Sequence, residues 1–387
     1  MSAFDFADLE LFITGPTYIR PDVRNAGVLP EFGHRDAEND KRFVPIFANL
    51  RALAGIPAGC GDYEVILYNG SGSTVLESAI RSLVADDETV LNVSVGAFGD
   101  LWHKMAQVNG KKARQYRFGW GRAVDLESLA AALEESRPGV VTITHNETST
   151  GVTNDIVACC ELVREYGALP LVDGVSIFGG VDVRLMEAMP ALYATSTQKA
   201  LGLPGGFGIA FVHQTAIAKA EKVANRGYAS DILTQLGRAR KNQTLTTPNT
   251  TLANQMCVQL DYIVHTEGME NRFARHAAMR DQLAAWLAGV DGYRFFAPEG
   301  HRAPTMTAIE APAGVTPTRL KTLKEAMRAK GFLFDTGYMK MNDYLEAEGR
   351  PAVFRIGHMG DLTPAMLARY LDALEPELAL VREAARS

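Results

Sequence analysis

The order of its apolar segments limits the fold of this chain more than any other feature. From about residue 64 to residue 212, short apolar runs alternate with helical stretches. The runs fall at 64–68, 89–95, 140–144, 169–172, 191–195 and 208–212. They lack the period of two that marks a half-exposed strand, and read as strands covered on both faces. Between them, 74–84 puts Val75, Ala79, Ile80 and Leu83 on one helical face, and a second helix runs through Trp102 to Val108. A third, 125–135, takes Asp125 as its N-cap, and a fourth spans 156–166. Such alternation predicts an α/β fold, a mostly parallel central sheet with helices on both faces. Sites in such sheets gather where the carboxyl ends of the strands emerge.

The pattern changes after residue 250. A mostly helical stretch, 252–289, leads to a strand at 305–309, a helix at 318–330, a strand at 353–356 and a long terminal helix from near Thr363. This predicts a smaller C-terminal α+β domain. The expected division is an N-terminal arm over 1–20, a large domain over 21–260, and a connecting helix with the small domain over 261–387. A chain of 387 residues, 47% of them hydrophobic, has the material for two cores. No internal repeat or low-complexity linker interrupts it.

Charge and cysteine usage exclude several classes of partner. A net charge of −6 without a dense basic run argues against nucleic acid and against an anionic membrane. Cys60, Cys159, Cys160 and Cys257 form no Cys-x-x-Cys pair and no His/Cys ligand spacing, so no metal site is expected. They read as buried thiols of a reducing compartment. The first ten residues carry acids where a signal peptide carries a basic cluster and an apolar stretch, and no apolar run reaches membrane-spanning length. The expected location is the cytoplasm.

The chemistry concentrates at strand ends. Lys199 lies in Thr195-Ser-Thr-Gln-Lys-Ala-Leu-Gly-Leu-Pro-Gly-Gly206, where a predicted strand gives way to a glycine-rich turn. Asp173 ends the apolar run Ala168-Leu-Pro-Leu-Val172. An aspartate after one strand and a lysine after a later one are the groups that pyridoxal 5′-phosphate requires, for its ring nitrogen and its aldehyde carbon. A lone lysine would read as a solvated surface charge; the pairing makes the difference. Asn69-Gly-Ser-Gly-Ser-Thr74 joins a strand to a helix and should cradle a phosphate with backbone amides and hydroxyls. It lacks the Gly-Lys-Ser/Thr ending of a nucleotide P-loop and the third glycine of a dinucleotide fingerprint.

Together these motifs resemble the class V, fold-type I family of pyridoxal-phosphate enzymes, in particular its alanine-glyoxylate and serine-glyoxylate aminotransferase branch. The resemblance runs through Thr14-Gly-Pro-Thr17, Gly33-His-Arg-Asp36, Gly70-Ser-Gly-Ser-Thr-Val-Leu-Glu77, Gly96-Ala-Phe-Gly-Asp100 and His145-Asn-Glu-Thr-Ser-Thr-Gly-Val152. It continues in Val172-Asp-Gly-Val-Ser176, Ser196-Thr-Gln-Lys-Ala-Leu201 and Phe354-Arg-Ile-Gly-His-Met-Gly-Asp361.

The resemblance implies that Lys199 carries the cofactor as a Schiff base and that Asp173 pairs with the pyridinium nitrogen. It assigns Ser71, Gly72 and Gln198 to the phosphate, with Ser73 at the margin of that loop. Phe98 falls where an aromatic ring stacks on the cofactor, Val175 packs on the opposite face, and Thr148 touches the ring hydroxyl. Thr246 falls where relatives supply a phosphate contact from the other subunit, which implies a homodimer with shared active sites. Arg355, a charge inside the apolar Val353-Phe-Arg-Ile356, is the candidate for the substrate carboxylate, since guanidinium matches it in a planar, bidentate way. The implied reaction is ping-pong transfer of an amino group from alanine or serine to a 2-oxo acid such as glyoxylate or pyruvate.

Three other readings compete. A phosphoserine aminotransferase would bind a substrate phosphate through a His-Arg pair such as His34-Arg35. A cysteine desulfurase needs a mobile cysteine in the C-terminal part, and none follows Cys257. A catalytically silent accessory protein would not need Lys199, Asp173 and Arg355 together. The chain departs from the glyoxylate pattern in a long segment, 338–351, next to Arg355, whose Tyr338, Lys340 and Arg350 are expected to shape the substrate pocket.

Overall fold

A computed structural model of the chain describes residues 8–386. The first seven residues of the 1–20 arm, most of the acidic N-terminus discussed above, therefore lie outside the described residues.

The alternating runs form one seven-stranded sheet from β1 (Tyr63–Gly70), β2 (Thr89–Ser94), β3 (Lys112–Arg117), β4 (Val140–Thr144), β5 (Leu169–Asp173), β6 (Leu192–Ser196) and β7 (Gly206–His213). Its spatial order is β1-β7-β6-β5-β4-β2-β3. Only β7 runs against the others, so six carboxyl ends emerge on one side. β4 is buried throughout, as continuous apolar runs in a covered parallel sheet should be. The edge strand β3 alternates polar and half-buried residues and has no apolar run to announce it.

Helices cover both faces: α1 (Gly72–Leu83), α2 (Ala97–Val108), α3 (Leu126–Ser136) and α4 (Ile156–Glu165). The face foreseen for α1 is the buried one, with Val75, Ala79, Ile80 and Leu83 all fully inaccessible. Each such aliphatic side chain contributes about 1.5–3 kcal/mol, less for Ala79. Asp125 caps α3 by accepting from the Ser128 N–H at 2.8 Å. Only two of the four cysteines match the reading as buried thiols. Cys159 and Cys160 are buried, whereas Cys60 and Cys257 are half-exposed.

The stretch after residue 250 holds α5 (Thr250–Asp261) and α6 (Met269–Leu287), separated by a wider helical turn, Tyr262–Glu267, and by Gly268. Beyond it, β8 (Arg294–Phe295), β9 (Met306–Glu310) and β10 (Val353–Gly357) form an antiparallel sheet covered by α7 (Pro317–Ala329) and α9 (Pro364–Arg386). Phe12 packs into this second core and stacks on Tyr370 with ring centroids 4.0 Å apart, so the N-terminal segment is anchored on the C-terminal half. The 338–351 segment is not an open loop: it folds into α8 (Met339–Ala347). Met341, Asn342 and Leu345 are its buried residues, and the Asn342 amide exchanges two hydrogen bonds with the Val353 backbone, at 2.8 and 2.9 Å.

Candidate active site

Five strand ends supply one cavity of about 140 Å³. Ser71, Gly72 and Ser73 follow β1, Phe98 follows β2, Thr148 follows β4, Asp173 ends β5, and Gln198 and Lys199 follow β6. All eight line the cavity together with Val175, Leu76, Leu101, Asn146 and Ser176. This is the crevice that an open parallel sheet builds at its carboxyl edge.

One end of the cavity is formed by the first turn of α1, whose leading N–H groups have no partners within the helix and suit an anion. Thr74 Oγ1 accepts from the Ser71 N–H at 3.2 Å and so fixes the turn. Gly72 is required there by space, because a Cβ would lie 2.5 Å from Val175 Cγ2. Nearby, Ser196 Oγ and Gln198 Oε1 are buried with no hydrogen-bond partner. Buried polar atoms rarely stay unpaired; the Ser196 hydroxyl can donate to a ligand rich in oxygens, and the Gln198 amide can do so through its NH₂ group.

The opposite wall is electrostatic. Asp173 is buried, and its Oδ1 accepts only from the Val175 N–H, at 2.9 Å. Burial pushes its carboxyl up to about 7, with Glu147 adding to the rise and Val175 and Lys199 opposing it. Such a group fits a cationic partner, which the ring nitrogen of pyridoxal phosphate supplies. Lys199 is held down to about 8, first by burial and then by the Arg355 charge, against the pull of Asp335 and Asp173. Its ammonium donates to the Thr14 carbonyl. Gly15 must be glycine for that approach: a Cβ would sit 2.6 Å from Lys199 Nζ, and φ is +115°.

Phe98 opens α2, and its backbone is gripped by a residue that the motif reading did not assign. Glu147 accepts from the N–H groups of Phe98 and Gly99 at 3.0 and 3.2 Å, and from Ser149 N–H and Oγ–H at 3.0 and 2.5 Å. A fully buried glutamate inside His145-Asn-Glu-Thr148 was the available signal. It satisfies leading N–H groups of α2 and holds the backbone of Phe98.

The remaining sequence candidates lie outside this cavity. Arg355 Nη1 donates to the Thr148 carbonyl at 3.0 Å, and Nη2 to Asp335 Oδ1 at 3.1 Å. Asp335 also accepts from Thr14 N–H and Oγ–H, at 3.3 and 3.2 Å, which links Arg355 through the N-terminal segment to Lys199. Neither Asp335 nor Thr14 carried a role in the sequence reading. Thr14 lies within a quoted motif, but Asp335, after an apolar stretch, sends no local signal.

Thr246 is exposed, with its Oγ1 accepting from Asn69 Nδ2 at 2.8 Å. Arg35 donates to Gln243 Oε1 and to the Thr244 and Leu245 carbonyls at 2.6, 3.1 and 2.9 Å, and His34 Nε2 stands 3.5 Å from Thr247 Oγ1. His34, Arg35 and Thr246 thus form one surface unit. Tyr338 lies with its ring centroid 6.4 Å from that of Phe98, and Lys340 lines a second cavity beside Phe98 and Trp120. Arg350, expected at the pocket, instead points to Glu310 at 3.9 Å and to the Phe296 ring. The helix α8 carries it away from Arg355.

Among the described residues no cluster of His, Cys, Asp and Glu could hold a metal ion, and no helix is long and apolar enough to cross a membrane. The residues present fit pyridoxal phosphate: an anion cradle, a buried carboxylate and a buried amine of lowered proton affinity share one crevice. That cofactor, when bound, supplies an electron sink for charge developing at the substrate Cα.

Comparison with known proteins agrees. The sequence profile of the family described as Aminotransferase class-V matches residues 40–331. Serine–glyoxylate aminotransferase from Hyphomicrobium methylovorum is 31% identical over 381 residues, spanning 95% of this chain and 89% of that protein. The corresponding enzyme of Methylorubrum extorquens is 30% identical over 386 residues, spanning 95% and 90%. The crystal structure of an alanine–glyoxylate aminotransferase from Nostoc sp. superposes with a TM-score of 0.86 at 26% identity, covering 98% of this chain and 97% of that one. The chain belongs to the class-V aminotransferases and is a pyridoxal-phosphate-dependent enzyme of that family.

Proposed function

We propose that this enzyme moves the amino group of a small amino acid, alanine or serine, to a 2-oxo acid such as glyoxylate or pyruvate, as a cytoplasmic homodimer with shared active sites. The observation that carries the reading is the buried Lys199 amine, held down to about 8, in one cavity with the buried Asp173 carboxylate. The names of the relatives, serine–glyoxylate and alanine–glyoxylate aminotransferase, support the substrates.

In this reading Lys199 would hold the cofactor and, once released and neutral, would take up or return the proton at the substrate Cα. Its lowered proton affinity leaves a useful fraction neutral near pH 7. Asp173 would keep the ring nitrogen charged, Ser71, Gly72, Ser73 and Gln198 would hold the phosphate, and Phe98 and Val175 would flank the ring. Thr148 would serve the ring hydroxyl, and Arg355 the substrate carboxylate. The exposed Thr246, beside the phosphate loop, is read as reaching a neighbouring subunit. The two largest apolar clusters support a division near residues 20 and 260, although Ile263 belongs to the first, Phe12 ties the arm to the second, and smaller clusters join Ala200 and Val95 to residues 296–359.

The phosphoserine reading loses support from the contacts of Arg35, whose guanidinium is already engaged by Gln243, Thr244 and Leu245. A donor screen decides between the two. The absorbance of the bound cofactor is followed in a single turnover with alanine, serine, phosphoserine, aspartate and aminoethylphosphonate. Alanine or serine should react fastest; reaction with phosphoserine alone would overturn the proposal.

A further inference from the structure

We infer that Asp335 sets the substrate class of this site. It stands on one side of the Arg355 guanidinium as a built-in carboxylate, so the site accepts substrates with one carboxylate and turns away short dicarboxylates such as aspartate. This rests on the transaminase reading and on Arg355 as the carboxylate seat, and deepens both.

The pair is built to stay in place. The Arg355 and Asp335 side chains are only 11% and 10% exposed, and their N–O separation is 3.1 Å. Asp335 Oδ2 accepts from Thr14 N–H and Oγ–H, and Oδ1 from the Gly337 N–H at 3.0 Å. The Arg355 N–H donates to the Asp335 carbonyl at 3.1 Å, which locks the two backbones together. An incoming carboxylate cannot cheaply expel Asp335, since that would leave a nearly buried charge and several donors unpaired.

The guanidinium nevertheless has capacity left. Five N–H groups are available on an arginine. Thr148 and Asp335 take one each, Nε is buried and among the described residues has no partner, and the second hydrogens of Nη1 and Nη2 remain. One further carboxylate can therefore be seated, beside a carboxylate that is already there.

The surrounding charges make a second one unwelcome. Lys199 is the only cation lining the cavity among the described residues, and the reaction requires it neutral for part of the cycle. Asp173 is matched by the cofactor ring, and Glu147 by the amides of α2. Aspartate carries its second carboxylate two carbons from the first, within about 5 Å, and so next to Asp335. Like charges at that distance in a partly dry site repel strongly. Lys104 and Lys340 line the adjoining cavity beyond the Phe98 ring, and both are exposed. Solvent screening leaves them little pull on a group seated at Arg355.

The test uses the holoenzyme. Wild type should prefer alanine or serine over aspartate by about a hundredfold in kcat/KM. Asp335→Asn and Asp335→Ala should each narrow that ratio at least tenfold, chiefly by lowering the KM for aspartate. Calorimetry with unreactive acids gives a readout apart from turnover. Succinate should bind wild type at least tenfold more weakly than propionate, and the gap should shrink in Asp335→Asn. That variant keeps an acceptor for Thr14, and the wild-type comparison needs no variant, so a misfolded Asp335→Ala leaves the test intact. Equal use of aspartate and alanine by wild type, or a ratio unchanged within twofold in both folded variants, would overturn the inference. Failure of the underlying reading looks different: no small amino acid, aspartate included, would be turned over, while succinate and propionate would still report on Asp335.

Discussion

The two sheets approach the cavity in different ways. The seven-stranded sheet delivers its groups one per strand end, each within a few residues of the strand, so β1, β5 and β6 place Ser71, Asp173 and Lys199 by local geometry. The three-stranded sheet delivers Arg355 from the middle of β10, and everything that orients it comes from afar. Thr148 comes from the turn that follows β4, Asp335 from the segment after α7, and Thr14 from the N-terminal stretch. Apart from the N-terminal segment that meets Lys199, the proposed cofactor half is placed locally, whereas the proposed substrate half depends on how three separate segments meet. In that reading, altering one contact would change substrate choice with the chemistry left intact.

The largest test of this contrast is Lys199→Ala. Removal of the amine should lower turnover by about 10⁴-fold or more while circular dichroism and thermal unfolding show an intact fold. Retention of more than a trace of transamination would break the cofactor half of the comparison. Next comes Asp173→Asn, for which we expect a rate loss of about a thousandfold, because a charge partner in a dry site is worth several kcal/mol. Cofactor should still be retained through the cradle of α1; its complete loss in a folded variant would mean that the two ends of the cavity are not independent.

A smaller effect should follow from Arg355→Lys. Lysine keeps the charge but loses the planar fork, so kcat/KM should fall by about 10–100-fold, mostly through KM. Arg35→Ala serves as the reference, with less than a threefold change in the KM for alanine. A similar KM rise in both would erase the distinction between a seat for substrate and a brace for residues 243–247.

The smallest effect is on stability. The Asp173 carboxyl, ordinarily near 3.8, is pushed up to about 7 in the folded, cofactor-free protein. Its stabilising contribution is full below about pH 4 and is lost as pH rises through about 7. Lys199, held down from 10.5 to about 8, contributes in the opposite sense: its stabilisation is full above about pH 10.5 and is lost as pH falls through about 8. Cofactor-free wild type should therefore lose roughly 2 °C or more in Tm between pH 5 and 7 relative to Asp173→Asn. Identical profiles would show that Asp173 is solvated rather than held in a dry wall.

The sequence by itself determined the chemistry of the cofactor half. A lysine, an aspartate and a glycine-serine loop each follow an apolar run, and in a parallel sheet the carboxyl ends of such runs must emerge together, so linear order was enough to predict proximity. Periodicity located α1, and the Asp125 cap located α3. Such signals failed where no local pattern exists. β3 is an edge strand without an apolar run, and the long segment 338–351 receives no element from its sequence although Met341 and Leu345 of α8 keep helical spacing. Tertiary structure alone decided the rest. It pairs Asp335 with Arg355, threads Thr14 between Asp335 and Lys199, turns Arg350 away, and commits Arg35 to residues 243–245. Charged side chains are selective only through their partners; Asp335 meets Arg355 through backbone pairing of nearby segments, but Thr14, Thr148 and residues 243–245 are about two to three hundred residues from theirs and meet them only in the folded chain.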